Sequence, residues 1–222
     1  MKEIILDTET TGLSISEGHR IVEIGCIELD DLIPTKNKFH CYLNPERKVS
    51  DEAFKVHGYS NEFLSTQKKF KEIVDDFLKF IEGKKLVIHN AEFDISHLNN
   101  ELALLGKKKI KEEIVDTLQL ARDKFPGSGT SLDALCKKYN IDNSKREKHT
   151  AIIDCELLSK VYINLLDQKE PSFELELDKD FNEENFSNSK IQYYSEIIKP
   201  TDEEIKLHKE FLKKEIKKNF FN

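Results

Sequence analysis

The sequence has little of several features that would place it in common protein classes. Its four cysteines, Cys26, Cys41, Cys136 and Cys155, include no CxxC pair. That excludes zinc ribbons and dithiol redox motifs and leaves reduced core thiols as the expectation. Long apolar runs are missing and 35% of the residues are charged, so no membrane span is expected. The opening MKEIILDTET holds an apolar run of three residues before acids follow, too short for the hydrophobic region of a signal peptide. A cytoplasmic protein is the expectation. An excess of positive charge is missing too: 42 Asp and Glu outnumber 35 Lys and Arg, for a net charge of −7. A groove-reading DNA binder draws affinity from Lys and Arg on phosphates, so that class is disfavoured. An enzyme that holds a few terminal nucleotides through bound cations remains open, because carboxylates are what hold such cations. There is no internal repeat and no low-complexity tract.

What is present fits one sizeable α/β domain with an appendage: 222 residues, 38% of them hydrophobic, with 14 Phe. Residues 3–6 and 20–29 are rich in β-branched side chains and 36–43 alternate, predicting three opening strands. Phe70, Ile73, Val74, Phe77, Leu78 and Ile81 recur at helical spacing over 70–82, and Gly83 stops the helix. A short buried strand at 86–89 follows. Helices are then predicted at 93–105, 116–124, 131–138 and 150–166, with a break at Pro126, Gly127 and Gly129. The order implies a mixed sheet flanked by helices, with a further short strand before the last helices. Residues 168–200 are acidic and polar with sparse aliphatics, which reads as a flexible linker. Thr201 to Glu204 form a capping-box signature, and Ile205, His208, Leu212, Ile216 and Phe220 then mark one face of an amphipathic helix over 201–222.

Three polar segments carry the chemistry. In Asp7-Thr8-Glu9, residues i and i+2 project from one face at a strand end, so two carboxylates point the same way and repel unless a hard cation lies between them. In His89-Asn90-Ala91-Glu92-Phe93-Asp94, an apolar strand runs straight into a helix, and strand C-terminal ends are where α/β sheets keep their sites. Asp94 could equally be a first-turn acid that complements the helix dipole. The third segment is His149-Thr150-Ala151-Ile152-Ile153-Asp154. On a continuous helix, positions five apart lie about 140° apart, so a shared site requires His149 on the loop before the helix, with Thr150 as N-cap and Asp154 one turn inside.

Together these segments resemble the three motifs of the DnaQ-like DEDD exonucleases, and the histidine five residues before the last aspartate marks the DEDDh branch. Phe39–Leu43 with Asn44-Pro45, the run 52–58, Ser131–Cys136 and Asp142–Arg146 resemble more closely the epsilon proofreading subunits of bacterial DNA polymerase III. The likeness covers roughly 1–167, taken as the exonuclease domain. It implies a ribonuclease H-like α/β fold and hydrolysis at a DNA 3′ end with two divalent ions, Mg²⁺ or Mn²⁺. Asp7, Glu9 and Asp154 would hold one ion, Asp7 and Asp94 the second, and His149 would accept the proton of the attacking water. Glu52 and His57 would grip the substrate together with the metal-holding Asp7, Glu9 and Asp154, and Thr10, Leu13, His89 and Phe93 are added from the turn after the first strand and the second motif. Gly12 would permit close backbone approach to the terminal sugar. The tail would bind the polymerase alpha subunit, tethering both activities to one primer end. A small accessory theta subunit and a sliding clamp, the latter through Gln168–Phe173, are further implied partners. An RNA-trimming DEDDh exonuclease would share every metal ligand, and an inactive replisome scaffold is the alternative from another class.

Overall fold

The computed structural model describes residues 2–144, 146, 148–166 and 200–215. The chain divides into two units, 1–172 and 173–222. The first is built on a five-stranded sheet in the order β3-β2-β1-β4-β5. β1 (Lys2–Thr10), β2 (Ile21–Asp30) and β3 (Ile33–Tyr42) form an antiparallel meander, and β4 (Lys85–Ile88) and β5 (Ile114–Asp116) run parallel to β1. Helices α1 (Asp51–His57), α2 (Asn61–Ser65) and α3 (Phe70–Ile81) link β3 to β4. Then come α4 (Ala91–Leu104) between β4 and β5, followed by α5 (Thr117–Lys124), α6 (Leu132–Lys138) and α7 (Ala151–Leu165).

The period-2 alternation of β1 sorts the core into two layers. Ile4 and Leu6 pack with Phe77, Val74 and Leu98 of α3 and α4. Ile5 packs on the other face with Leu135, Leu158 and Val161 of α6 and α7. A sheet covered on both faces buries its central strands almost completely, and Ile21 to Leu29 of β2 are all buried.

The expected mixed sheet with flanking helices is what the chain forms, and the predicted break at 126–129 separates α5 from α6. Three expectations need correction. β1 runs to Thr10 rather than ending near residue 6, because Asp7 to Glu9 pair with Glu23 to Gly25 of β2. The second motif's helix starts at Ala91, not 93, since Asn90 adopts a left-handed backbone (φ 68°) that turns β4 directly into α4. Two short helices, α1 and α2, were not expected. Each is opened by a serine, Ser50 or Ser60, whose side chain accepts the amide three residues on. Cysteines 26, 136 and 155 are free and buried, and Cys41 is free and half-buried.

In the second unit, α8 (Asp202–Glu215) begins at the expected capping box: Glu204 accepts from the Thr201 amide and hydroxyl, and Thr201 Oγ1 accepts the Glu204 amide. Residues 168–199, including Gln168–Phe173, and Ile216 and Phe220 lie outside the described residues. Among the described residues no helix is long and apolar enough to cross a membrane.

Candidate active site

β1 pairs with β4 only through Glu3–Ile5, which leaves the β4 side of Asp7 to Glu9 without a strand neighbour among the described residues. α4 starts at that crevice. Asp116, at the end of β5, fixes its first turn by accepting the amides of Asn90 (3.0 Å) and Ala91 (3.2 Å), while also capping α5 through Leu118 (2.8 Å). One turn further on, Asp94 is 3% exposed and its Oδ1 accepts from both the amide (2.9 Å) and the hydroxyl (2.7 Å) of Thr8. It is therefore more than a solvent-facing helix acid, since its carboxylate is delivered to β1 beside Asp7.

The third motif arrives from the opposite layer. α7 lies against β2 at Gly25, where a Cβ would fall 2.6 Å from the Ala151 carbonyl carbon. Thr150 caps the helix as expected, accepting the Ile153 amide. His149 precedes the helix, and its amide donates to the Val56 carbonyl of α1 (3.2 Å). One donor atom each from Glu9, His149 and Asp154 lie within 4.8 Å of one another. Arg146 clasps Asp154 with two hydrogen bonds (2.6 and 2.7 Å), reaches His149 Nδ1 (2.9 Å) and pairs with Asp133 (2.7 Å).

Crowding of acids dominates the electrostatics. Burial, then Asp94, Glu9 and Asp154, pushes the Asp7 carboxyl well above its usual range. Burial followed by repulsion from Asp154 and Glu23 lifts Glu9 to about 8. Asp94 is raised to about 7 by burial, against the opposing Thr8 hydrogen bonds. Asp154 is the exception: burial works to raise it, but the hydrogen bonds from His149 and Arg146 prevail and hold it low. Carboxylates that neutralise one another's ionisation are the donor set a hard divalent cation requires, oxygen-rich and short of positive charge. The residues present therefore fit divalent cations, with Asp7, Glu9, Asp94 and Asp154 as candidate holders.

Two hollows meet at this cluster. An acidic cleft of about 580 Å³ contains Asp7, Glu9, Asp94, His149 and Asp154. A more apolar pocket of about 600 Å³ is lined by Thr10, Leu13, Glu52, Ala53, Val56, His57 and Phe93. Glu9 and Phe93 line both. Of the expected substrate residues, Glu9, Thr10, Leu13, Glu52, His57 and Phe93 line the pocket, while Asp7, Asp154 and His89 do not. His89 lies in the cleft, where its Nδ1 bonds Thr117 Oγ1 (2.9 Å). Leu13 stands on the rim, 82% exposed. Gly12 serves a packing purpose: a Cβ there would fall 2.3 Å from the His19 imidazole, which forms part of the pocket wall. Sequence reasoning missed Arg146, Arg122 of the cleft, Asp116 and Glu23. Asp116 left a local signal as the acid that opens the helix predicted over 116–124, and Arg146 closes the 142–146 stretch that carries part of the family resemblance.

Comparison with known proteins agrees with this geometry. A family profile for exonucleases matches residues 4–162. The DNA polymerase III subunit epsilon of Rickettsia felis is 48% identical over 220 residues, covering 96% of each chain. Among solved structures, exonuclease X in complex with 5′ overhanging duplex DNA superposes with a TM-score of 0.60 at 24% identity, covering 75% of this chain and 92% of that one. The nuclease domain of 3′hExo, a DEDDh family member bound to rAMP, gives 0.66 at 18%, covering 76% and 92%. These two show the fold alone. With the acids of three separated motifs gathered at one crevice and the family profile spanning all of them, the chain belongs to the exonuclease family.

Proposed function

We propose that the protein is a proofreading 3′–5′ exodeoxyribonuclease that removes mispaired nucleotides as nucleoside 5′-monophosphates, in the cytoplasm and tethered to a replicative DNA polymerase. The observation that carries this reading is the convergence of four carboxylates and one imidazole beside a pocket of nucleoside size. The epsilon-subunit relative, matched along nearly the whole of both chains, supports the polymerase setting.

The terminal nucleoside enters the apolar pocket between α1 and Phe93, and the scissile phosphate lies past Glu9 in the acidic cleft. Stacking on Phe93 is tolerant of base identity, which suits an enzyme that must accept any terminal base. Two divalent ions, Mg²⁺ or Mn²⁺, held by Asp7, Glu9, Asp94 and Asp154, would supply an activated water and charge stabilisation for the leaving 3′ oxygen. Thr8 keeps Asp94 turned toward the crevice, and Asp116 keeps the start of α4 in place. His149 takes the water's proton. Its Nδ1 lies 2.9 Å from Arg146 Nη2 and 3.4 Å from Asp154 Oδ2, neighbours that hold the imidazole at the cleft.

The test is hydrolysis of a mispaired DNA primer, with single-stranded DNA and RNA of matched sequence, in Mg²⁺ or Mn²⁺. DNA should be preferred, chelation should stop the reaction, and His149→Ala should lower kcat by about 10²- to 10⁴-fold. A strong RNA preference would identify an RNA-trimming enzyme. No metal-dependent hydrolysis that His149→Ala removes would identify an inactive scaffold.

A further inference from the structure

Glu23 of β2 is a carboxylate that the proposed reaction assigns neither to an ion nor to the substrate, yet it is 0% exposed and bonded on both oxygens. Oε1 lies 2.7 Å from His40 Nε2 of β3. Oε2 accepts two hydrogen bonds: from the Tyr59 hydroxyl (2.7 Å) and from the Ala151 amide (2.9 Å). These last two partners belong to different halves of the site. Tyr59 stacks on His57 of the pocket, with ring centroids 4.7 Å apart and planes 24° apart, and its amide donates to His57 Nδ1 (3.0 Å). Ala151 opens α7, two residues after His149 and three before Asp154.

We propose that Glu23 and Tyr59 are positioning residues, joining the terminal-nucleoside pocket to the segment that carries His149 and Asp154. The fit of the nucleoside then sets the placement of the catalytic base. The inference rests on reading the pocket as the terminal-nucleoside subsite. Its physical basis is that a fully buried carboxyl group which loses a partner suffers the whole desolvation cost of the atom left bare. Displacing Tyr59 therefore pulls on the Ala151 amide instead of simply breaking a bond. The Val56 carbonyl, holding the His149 amide from the pocket side, gives the same segment a second anchor on α1. A nucleoside that seats badly against His57 leaves His149 off its working position. A shift of about 1 Å at a catalytic group costs on the order of 10²-fold in rate.

The experiment follows backbone amide resonances of the metal-free protein titrated with thymidine, which has no phosphate and reaches the pocket alone. In the wild type, Ala53 and Val56 should respond, and so should Ala151. In Tyr59→Phe, the milder change, Ala53 and Val56 should still respond while Ala151 falls silent. Glu23→Gln should do the same. On oligonucleotides with Mg²⁺, Tyr59→Phe should lower kcat about ten-fold with KM nearly unchanged, since the lost interaction serves the transition state and not binding. Responses at Ala53 and Val56 with a silent Ala151 in the wild type overturn the coupling alone. So does an Ala151 response that persists in both variants. No thymidine response at Ala53 or Val56 overturns the subsite reading, and the coupling with it.

Discussion

Glu9 illustrates how neighbours set the chemistry of one side chain. Burial and the surrounding acids raise its carboxyl to about 8 and Asp94 to about 7. A carboxyl with a raised folded-state pKa stabilises the fold fully below its unfolded value, and that contribution is lost as pH rises through the folded value. Metal-free protein should therefore melt at progressively lower temperature from about pH 4.5 to about pH 8, and Mg²⁺ or Mn²⁺ should restore most of the loss at the upper end. Calorimetry with and without the ion checks this; a flat metal-free profile would contradict it. Asp7→Asn should flatten the profile and raise the metal-free Tm while abolishing turnover. Arg146 makes the opposite contribution, since its guanidinium is the countercharge of Asp154. Both side chains are nearly buried, so Arg146→Gln should cost about 3 kcal/mol without metal and gain more from Mn²⁺ than the wild type does. The five candidate site residues that line the cleft could be picked out in the sequence because each sits at a fixed offset within a short motif. Glu23 and Tyr59 were not, because their partners are distant along the chain: Glu23 meets Ala151 across 128 positions. Arg146 is only eight residues from Asp154, but it lies on a loop, where no periodicity tells which way a side chain turns.

At the level of elements, the site depends on how closely α7 approaches the sheet. Gly25 lets the backbone of Ala151 rest on β2 with no room for a methyl group, and the obstructing atoms are backbone, which cannot rotate aside. Gly25→Ala should destabilise the domain by about 1–3 kcal/mol and cut kcat further than the stability loss explains, because the displaced first turn carries Asp154. Denaturant unfolding alongside single-turnover rates separates the two effects. A long amphipathic element such as α3 could be read from periodicity, since its apolar side chains recur along the face it buries. The seven residues of α1 and five of α2 could not. Helices that short are defined by their caps and by the loop geometry around them. The extension of β1 to Thr10 was similarly hidden, because polar Asp7-Thr8-Glu9 reads as a strand end until its pairing with β2 is known.

At the level of the whole molecule, the proposal assigns catalysis to the first unit and attachment to the tail. Removing residues 191–222 should leave hydrolysis of free oligonucleotides within about two-fold of the full chain while reducing co-purification with the polymerase, since a tether acts through effective concentration. Undiminished co-purification would count against the tether. Glu9 and Phe93 stand between the pocket and the cleft as a common partition. If the terminal nucleoside occupies the pocket and its phosphate the cleft, as proposed, the strand has to cross that partition, and an end already free of its complement is the one suited to do so. Errors are then recognised without inspecting any base: a mismatch frays more cheaply than a correct pair, and the time an end spends open becomes the quantity that decides its fate.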